Sequence, residues 1–150
     1  MNKYRQFGAM IATTTIIMFG LMYLNTFQLD HVLFSETRAF MALIMGATMA
    51  VIMLGFMRGM YEDARLNAAI TVGSVVVFAL ALWLVRSQAT VGDVAYMRAM
   101  IPHHSIAILT SERARITDPR VRALADGIIA AQKKEIGEMK VLIRDLEKKQ

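Results

Sequence analysis

Charged residues punctuate the first half of the chain so sparsely that three apolar runs stand out, from Gln6 to Leu29, from Ala39 to Met57 and from Leu66 to Val85. A helix rising 1.5 Å per residue needs about 20 residues to cross the hydrocarbon of a bilayer. The pattern therefore predicts three transmembrane helices, at about residues 7–28, 39–57 and 66–85. After Arg86 the rhythm changes, with charges every few residues and apolar positions recurring at helical spacing. The stretch ITDP interrupts that rhythm, with Asp118 placed as an N-cap and Pro119 in the first helical position. One helix is expected from about Val91–Asp93 to Arg115, and a second from Pro119 to about Glu147. The expected fold class is all-α: a three-helix transmembrane region over 1–86, then a water-facing helical hairpin over 87–150. Two helices alone bury little surface, so the hairpin is expected to pair with a second copy as half of a four-helix bundle.

Composition agrees with the membrane reading. Of the 150 residues, 56% are hydrophobic and only 19% charged, too apolar for an ordinary water-soluble domain. The first run is too long for a signal-peptide core and no small-residue cleavage site follows it, so it is read as a retained anchor. Lys3 and Arg5 precede the first run and Arg58 and Arg65 flank the second loop, which places the N-terminus in the cytoplasm and the hairpin outside. The expected location is a bacterial inner (plasma) membrane, with the C-terminal domain periplasmic or extracellular. The absence of cysteine fits an oxidising compartment in which no disulfide is used. The net charge of +5 comes mostly from the hairpin, where bases alternate with acids and no aromatic platform accompanies them, so nucleic acid is not an expected partner.

Methionine is the next feature. Met41, Met45, Met49, Met53 and Met57 recur every four residues and form a slowly spiralling ladder on the second run, beside a small-residue row of Ala42, Gly46 and Ala50 that favours close approach by another helix. Met10, Met18 and Met22 lie in the first run. Packing by a flexible side chain accounts for such a ladder, and a thioether path for a soft cation in an oligomer is the sharper alternative. Trp83 sits where an indole favours the headgroup level. Asp30, His31 and Glu36 are read as scattered loop residues, with a capture site near Met41 as the alternative.

The hairpin carries the candidate chemistry. On its first helix Asp93, Met97, Met100, His104, Ile108 and Ser111 share one face, His103 lies at its edge, and Pro102 points away while freeing the carbonyl of Arg98. On the second helix Val121, Leu124, Ile128, Gln132, Glu135, Met139, Leu142 and Leu146 read as one coiled-coil seam, interrupted by an amide and a carboxylate that need partners once buried. Folding back about residue 116 sets Met100 level with Gln132, Met97 with Glu135 and Asp93 with Met139. Thioether and imidazole together suit copper, Cu(I) ahead of Cu(II); zinc rarely takes methionine, and calcium or magnesium needs more oxygens. A di-iron carboxylate centre is disfavoured because no Glu-x-x-His occurs.

The stretch DVAYMRAMIPHHSIAIL, followed by TDPRVRALADGIIAAQKKEIGEMKVLI, resembles a repeat unit of the family called domain of unknown function 305, over about residues 93–143. The resemblance implies a ferritin-like helical unit associated with copper binding and copper resistance. It points to Met97, Met100, His103, His104, Gln132, Glu135 and Met139. This chain has one copy of the unit where longer members have two, which again implies a homodimer.

The expectation is thus a membrane-anchored copper-binding protein serving copper sequestration, delivery or tolerance. Its metal ligands would be Met97, Met100, His104 and Met139, with His103 and Glu135 as further ligands or neighbours and Asp93 and Gln132 supporting them. The lipid bilayer, a second copy of the chain and copper-handling proteins are its expected partners. An assembly module whose polar seam residues only fix register, and Met-lined Cu(I) transport, are the alternatives. No nucleophile has a base at helical spacing, so an enzyme is not expected.

Overall fold

The computed structural model describes residues 3–149, and among them the chain forms five α-helices and no strand. These are α1 (Lys3–Leu21), α2 (Glu36–Phe56), α3 (Ala64–Ser87), α4 (Asp93–Arg113) and α5 (Pro119–Glu147), with a single 3₁₀ turn at Leu29–His31. They fall into two compact units. One takes in the chain up to Met22 together with Thr37–Thr90; the other joins Tyr23–Glu36 to the chain from Val91 onward.

In the first unit, α2 and α3 are long and apolar enough to cross a membrane. The 21 residues of α2 span about 31 Å at the helical rise, close to the thickness of bilayer hydrocarbon. The expected first span, 7–28, does not have that form. Its helix begins at Lys3, carries Arg5, Gln6 and three consecutive threonines, and stops at Leu21, so the uncharged run is not one apolar helix. Two candidate spans replace the expected three. The small-residue row of α2 is buried, as Ala42, Gly46, Ala47 and Ala50. A Cβ on Gly46 would come within 2.2 Å of Thr15 Oγ1, so α1 approaches α2 closely only because residue 46 has no side chain. The methionine ladder lies beside this contact, where Met49 Sδ accepts from Thr14 Oγ1 at 3.5 Å and Met53 and Met57 pack against Phe7, Leu54 and Tyr61. Asp63 caps α3 by accepting from the amides of Arg65 and Leu66.

In the second unit, α4 and α5 form the expected hairpin. Asp118 accepts from the Arg120 amide at 2.8 Å and Pro119 opens α5, where its missing N–H costs nothing. The inward row of α5 is Ala125, Ile129, Gln132, Ile136, Met139, Ile143 and Leu146, with Ala125, Ile136 and Ile143 buried and the rest half-buried, alternating steps of four and three as a two-helix seam requires. It packs on Met97, Ile101 and Ile108 of α4.

Two expectations about this hairpin change. The seam lies one residue round from the expected one, leaving Val121, Leu124, Ile128 and Leu142 on the surface. Pro102, expected to point away from the donor face, is buried beside Ile101 and Ser105, so the proline ring serves as core volume. The seam predicts a large penalty at its centre. Ile101→Ala, at a side chain with no exposed surface, is expected to cost about 2–5 kcal/mol, read as lost amide protection in α4 and α5 by hydrogen exchange.

Candidate metal centre

Two helices running antiparallel bring distant positions together in a fixed register, and the polar contacts of α4 and α5 show what that register is. His104 Nε2 lies 2.8 Å from Glu135 Oε2, Lys133 reaches Glu112 at 3.0 Å, and Arg98 pairs with Glu147. Glu135 therefore faces His104, not Met97. The extended linker around Ala114 carries the chain onward before α5 starts, so the helices do not fold back about residue 116 and the expected pairing of Met100 with Gln132 is displaced. Each turn towards the start of α4 corresponds to a turn towards the end of α5, so Met100 comes level with Met139, one turn from the His104–Glu135 pair. Both methionines are half-buried.

The imidazole of His104 is oriented from both sides. Its Nδ1 lies 2.9 Å from the carbonyl oxygen of Met100, and since a carbonyl only accepts, Nδ1 carries a hydrogen. Nε2 is turned to Glu135, whose carboxylate likewise only accepts, so that contact also takes a hydrogen from the ring. A ring fixed through Nδ1 to a backbone carbonyl is the arrangement by which proteins orient histidine for a metal, and a cation at Nε2 would take the place of that hydrogen. His104 keeps only 12% of its side-chain surface exposed while Glu135 keeps 48%, so the pair stands at the edge of the seam and opens to solvent.

The remaining expected residues divide. Met97 belongs to the apolar core with Ile101, Ile108, Ile136 and Ile143, and Met139 packs against the same cluster. His103 is exposed, its ring edge-on to that of His104 with centroids 6.1 Å apart. Asp93 is exposed in the first turn of α4, and Gln132 is half-buried in the seam. Among the described residues no three histidine, aspartate or glutamate side chains converge on one point. The thioethers nearest that pair along the two helices are Met100 and Met139, each one turn away.

Sequence reasoning missed a second polar cluster. His31, read as a loop residue, is buried, and its Nδ1 lies 2.9 Å from Oγ of the fully buried Ser105. The same hydroxyl accepts from the Phe27 amide at 2.7 Å. Asp30 accepts from Lys140 at 2.6 Å, and Lys133 stands 5.6 Å above the Phe27 ring. Residues 23–36 thus dock on the hairpin through Ser105 on α4 and two lysines on α5. A serine among Ile101, Ile108 and Pro102 was the available signal, since a buried hydroxyl needs a partner. The cluster does not resemble a cation site, because Lys140 already occupies the carboxylate.

Residues 93–150 match the family described as Domain of unknown function (DUF305). The chain is also 32% identical over 143 residues to a protein of Acanthamoeba polyphaga mimivirus named Uncharacterized protein L153, an alignment covering 91% of this chain and 92% of the viral one. That likeness extends through both units and is not confined to the hairpin. No solved structure matches the chain.

The docked segment has a predictable response to pH. Burial pushes His31 below the ordinary imidazole value of 6.5, the Lys140 cation adds to the effect, and Asp30 opposes it. A histidine with a lowered folded pKa binds its proton more readily once undocked. Its contribution is therefore complete above pH 6.5 and is lost as pH falls below that value towards the folded pKa. The hydrogen bond from Lys140 holds Asp30 below the usual carboxylate range, so Asp30 responds only in stronger acid. Amide exchange across residues 23–36, corrected for intrinsic rate, is expected to rise between about pH 7.5 and about pH 5.5, and a flat profile would show that His31 is not held neutral.

Proposed function

The chain belongs to the domain of unknown function (DUF305) family, and from that premise we propose that it is a membrane-anchored copper-binding protein whose hairpin holds the metal outside the cytoplasm. The observation that carries the reading is the His104–Glu135 pair, one turn from two half-buried thioethers. Imidazole nitrogen and methionine sulfur are ligands for copper, and Cu(I) accepts thioethers that magnesium, calcium and zinc decline. Methionine needs no deprotonation to bind, so two of the four donors are ready at any pH. In this reading His104 Nε2, Met100 and Met139 are the ligands and Glu135 is a fourth ligand or the group that orients the imidazole. His103 is the exposed donor beside them, and Met97 supports the helix from within the core. Sequestration, delivery and copper tolerance are the roles such a site serves.

Membrane anchoring rests on α2 and α3. As an antiparallel pair of spans they return the chain to the side it left, so Tyr23–Glu36 and the chain from Val91 onward lie on one side, as their packing into one unit requires. Arg58 and Arg65 flank the connection between the two spans and assign that connection to the cytoplasm, which leaves the hairpin in the periplasm or outside the cell. Burial of Met97 among isoleucines favours a second reading, in which the hairpin is an assembly module and its polar seam residues only fix register.

Metal content separates the two. The purified protein in detergent, exposed to Cu(I) and buffer-exchanged, is expected to retain stoichiometric copper. A Met100→Leu/His104→Ala/Met139→Leu variant is expected to lose it, and Glu135→Gln to weaken it about 10–100-fold. Equal, negligible retention by wild type and variant would leave the assembly module standing.

A further inference from the structure

The first unit leaves a cleft between its two candidate spans, at the end where the connection from α2 to α3 turns. Its volume of about 750 Å³ lies within the range of about 300–1,000 Å³ that small-molecule sites occupy. Arg58, Glu62 and Asn67 stand at the mouth, and Val51, Leu54 and Val72 form the walls below them. A narrower hollow of about 220 Å³ shares Val51 and continues between the same helices past Ile52 and Val75 to Phe78. From Asn67 to Phe78 α3 climbs about 17 Å, close to one leaflet's half of the roughly 30 Å of bilayer hydrocarbon. The cleft is thus polar at the membrane surface and apolar at the depth of the lipid tails.

The polar groups of the mouth divide into committed and free. Asn67 donates from Nδ2 to the Tyr61 carbonyl at 2.7 Å and accepts from the Tyr4 hydroxyl at 3.0 Å, while Asp63 caps α3. Arg58 is exposed and forms no ion pair among the described residues. The bond from Tyr4 also brings Lys3 and Arg5 to this end, so four cations with Arg58 and Arg65 gather around Glu62.

We propose that the cleft holds an anionic phospholipid of the cytoplasmic leaflet, its phosphate on Arg58 and one acyl chain laid along Val51, Val75 and Phe78. Charge selects this occupant at the mouth, because cations at the cytoplasmic ends of membrane helices attract the anionic headgroups of that leaflet. Shape selects it deeper in, because the hollow beyond Val51 admits an extended hydrocarbon chain and is too narrow for a helix about 10–12 Å across. Gly55 keeps the entrance wide. A Cβ placed there would meet no other atom, so a larger side chain at residue 55 fills the cleft without a clash inside the fold. The inference rests on the membrane-anchored reading above and is independent of copper.

The experiment is native mass spectrometry of the full chain released from detergent, with phosphatidylglycerol or phosphatidylcholine of the same acyl chains added. Phosphatidylglycerol is expected to be retained about fivefold better than phosphatidylcholine, the scale of one cation at a headgroup. Arg58→Gln is expected to remove that preference, and Gly55→Phe to lower retention of both lipids. Arg65→Gln makes the same change in net charge outside the cleft and is expected to alter the preference less than about twofold. Arg58 and Arg65 are both exposed, so their comparison stands even where Gly55→Phe disturbs α2. An Arg65→Gln effect equal to that of Arg58→Gln would reduce the preference to surface charge and overturn the proposal. Displacement of phosphatidylglycerol by inorganic phosphate would overturn it too, by assigning Arg58 to a soluble anion. Flotation with lipid vesicles reads the anchoring separately: a chain that floats without preference loses the cleft alone, and one that does not float loses the anchoring reading with it.

Discussion

A hairpin of two helices has a single seam, and in this chain the seam between α4 and α5 has to do the work of a core. Its row on α5, from Ala125 through Ile136 to Leu146, is one residue wide and includes a half-buried glutamine. Such a seam fixes crossing and register but cannot by itself enclose a domain. The unit meets this constraint on one side by folding residues 23–36 over α4, where Phe27 and Leu33 join the same apolar cluster and Ser105 receives both the Phe27 amide and His31. That segment is contributed from between α1 and α2, so the second unit is discontinuous in sequence and depends on a connection far from its own helices.

The candidate metal centre is a consequence of the seam and contributes little to it. Glu135 is about half exposed, and an ion pair so placed is screened by water and worth at most about 1 kcal/mol. Register is set by Ile101, Ile108, Ile136 and Ile143, which are buried whether or not His104 meets Glu135. The pair is therefore free to serve chemistry. The backbone carbonyl of Met100 and the imidazole of His104 lie in one helical turn, so the orientation of Nε2 depends on α4 remaining helical through Pro102, where the Arg98 carbonyl lacks its usual donor. Burial of the proline ring among the core side chains supports that turn.

Much of this was legible in the sequence and some of it was not, for definite reasons. Asp118 and Pro119 announced the start of α5, and the Ala42, Gly46, Ala50 row announced the close approach that Thr15 makes. The seam of α5 was misplaced because that helix carries two apolar stripes, the exposed one including Leu124, Ile128 and Leu142. Hydrophobicity alone does not choose between two such stripes, whereas burial is decided by which of them the partner helix meets. The register followed from treating the linker as a hinge of no length, although its extended residues shift α5 along α4. The first run looked like a span because it lacks charge, yet Leu21 ends its helix and Phe27 and His31 find their partners on α4, which no local pattern records. Of the expected donors, His104 and Glu135 meet at the edge of the seam, Met97 and Met139 pack with its apolar cluster, Met100 lies one turn from His104, and His103 faces solvent.

His104 and Ser105 are consecutive, and on a helix consecutive side chains diverge by about 100°. One of them holds the open, donor-bearing face and the other holds the docked segment, so α4 is the wall common to both. A one-residue slip of α4 in one direction would present Ser105 to Glu135 and Ile106 to the Phe27 amide, and in the other would bring the His104 ring to that amide. The docked contact would be lost either way, because an isoleucine side chain has no group to accept the hydrogen and an imidazole cannot occupy the enclosed volume of Ser105. The two polar clusters, opposite in exposure and in chemistry, therefore enforce the same register that the isoleucines favour. This agreement lets a narrow seam specify a single arrangement.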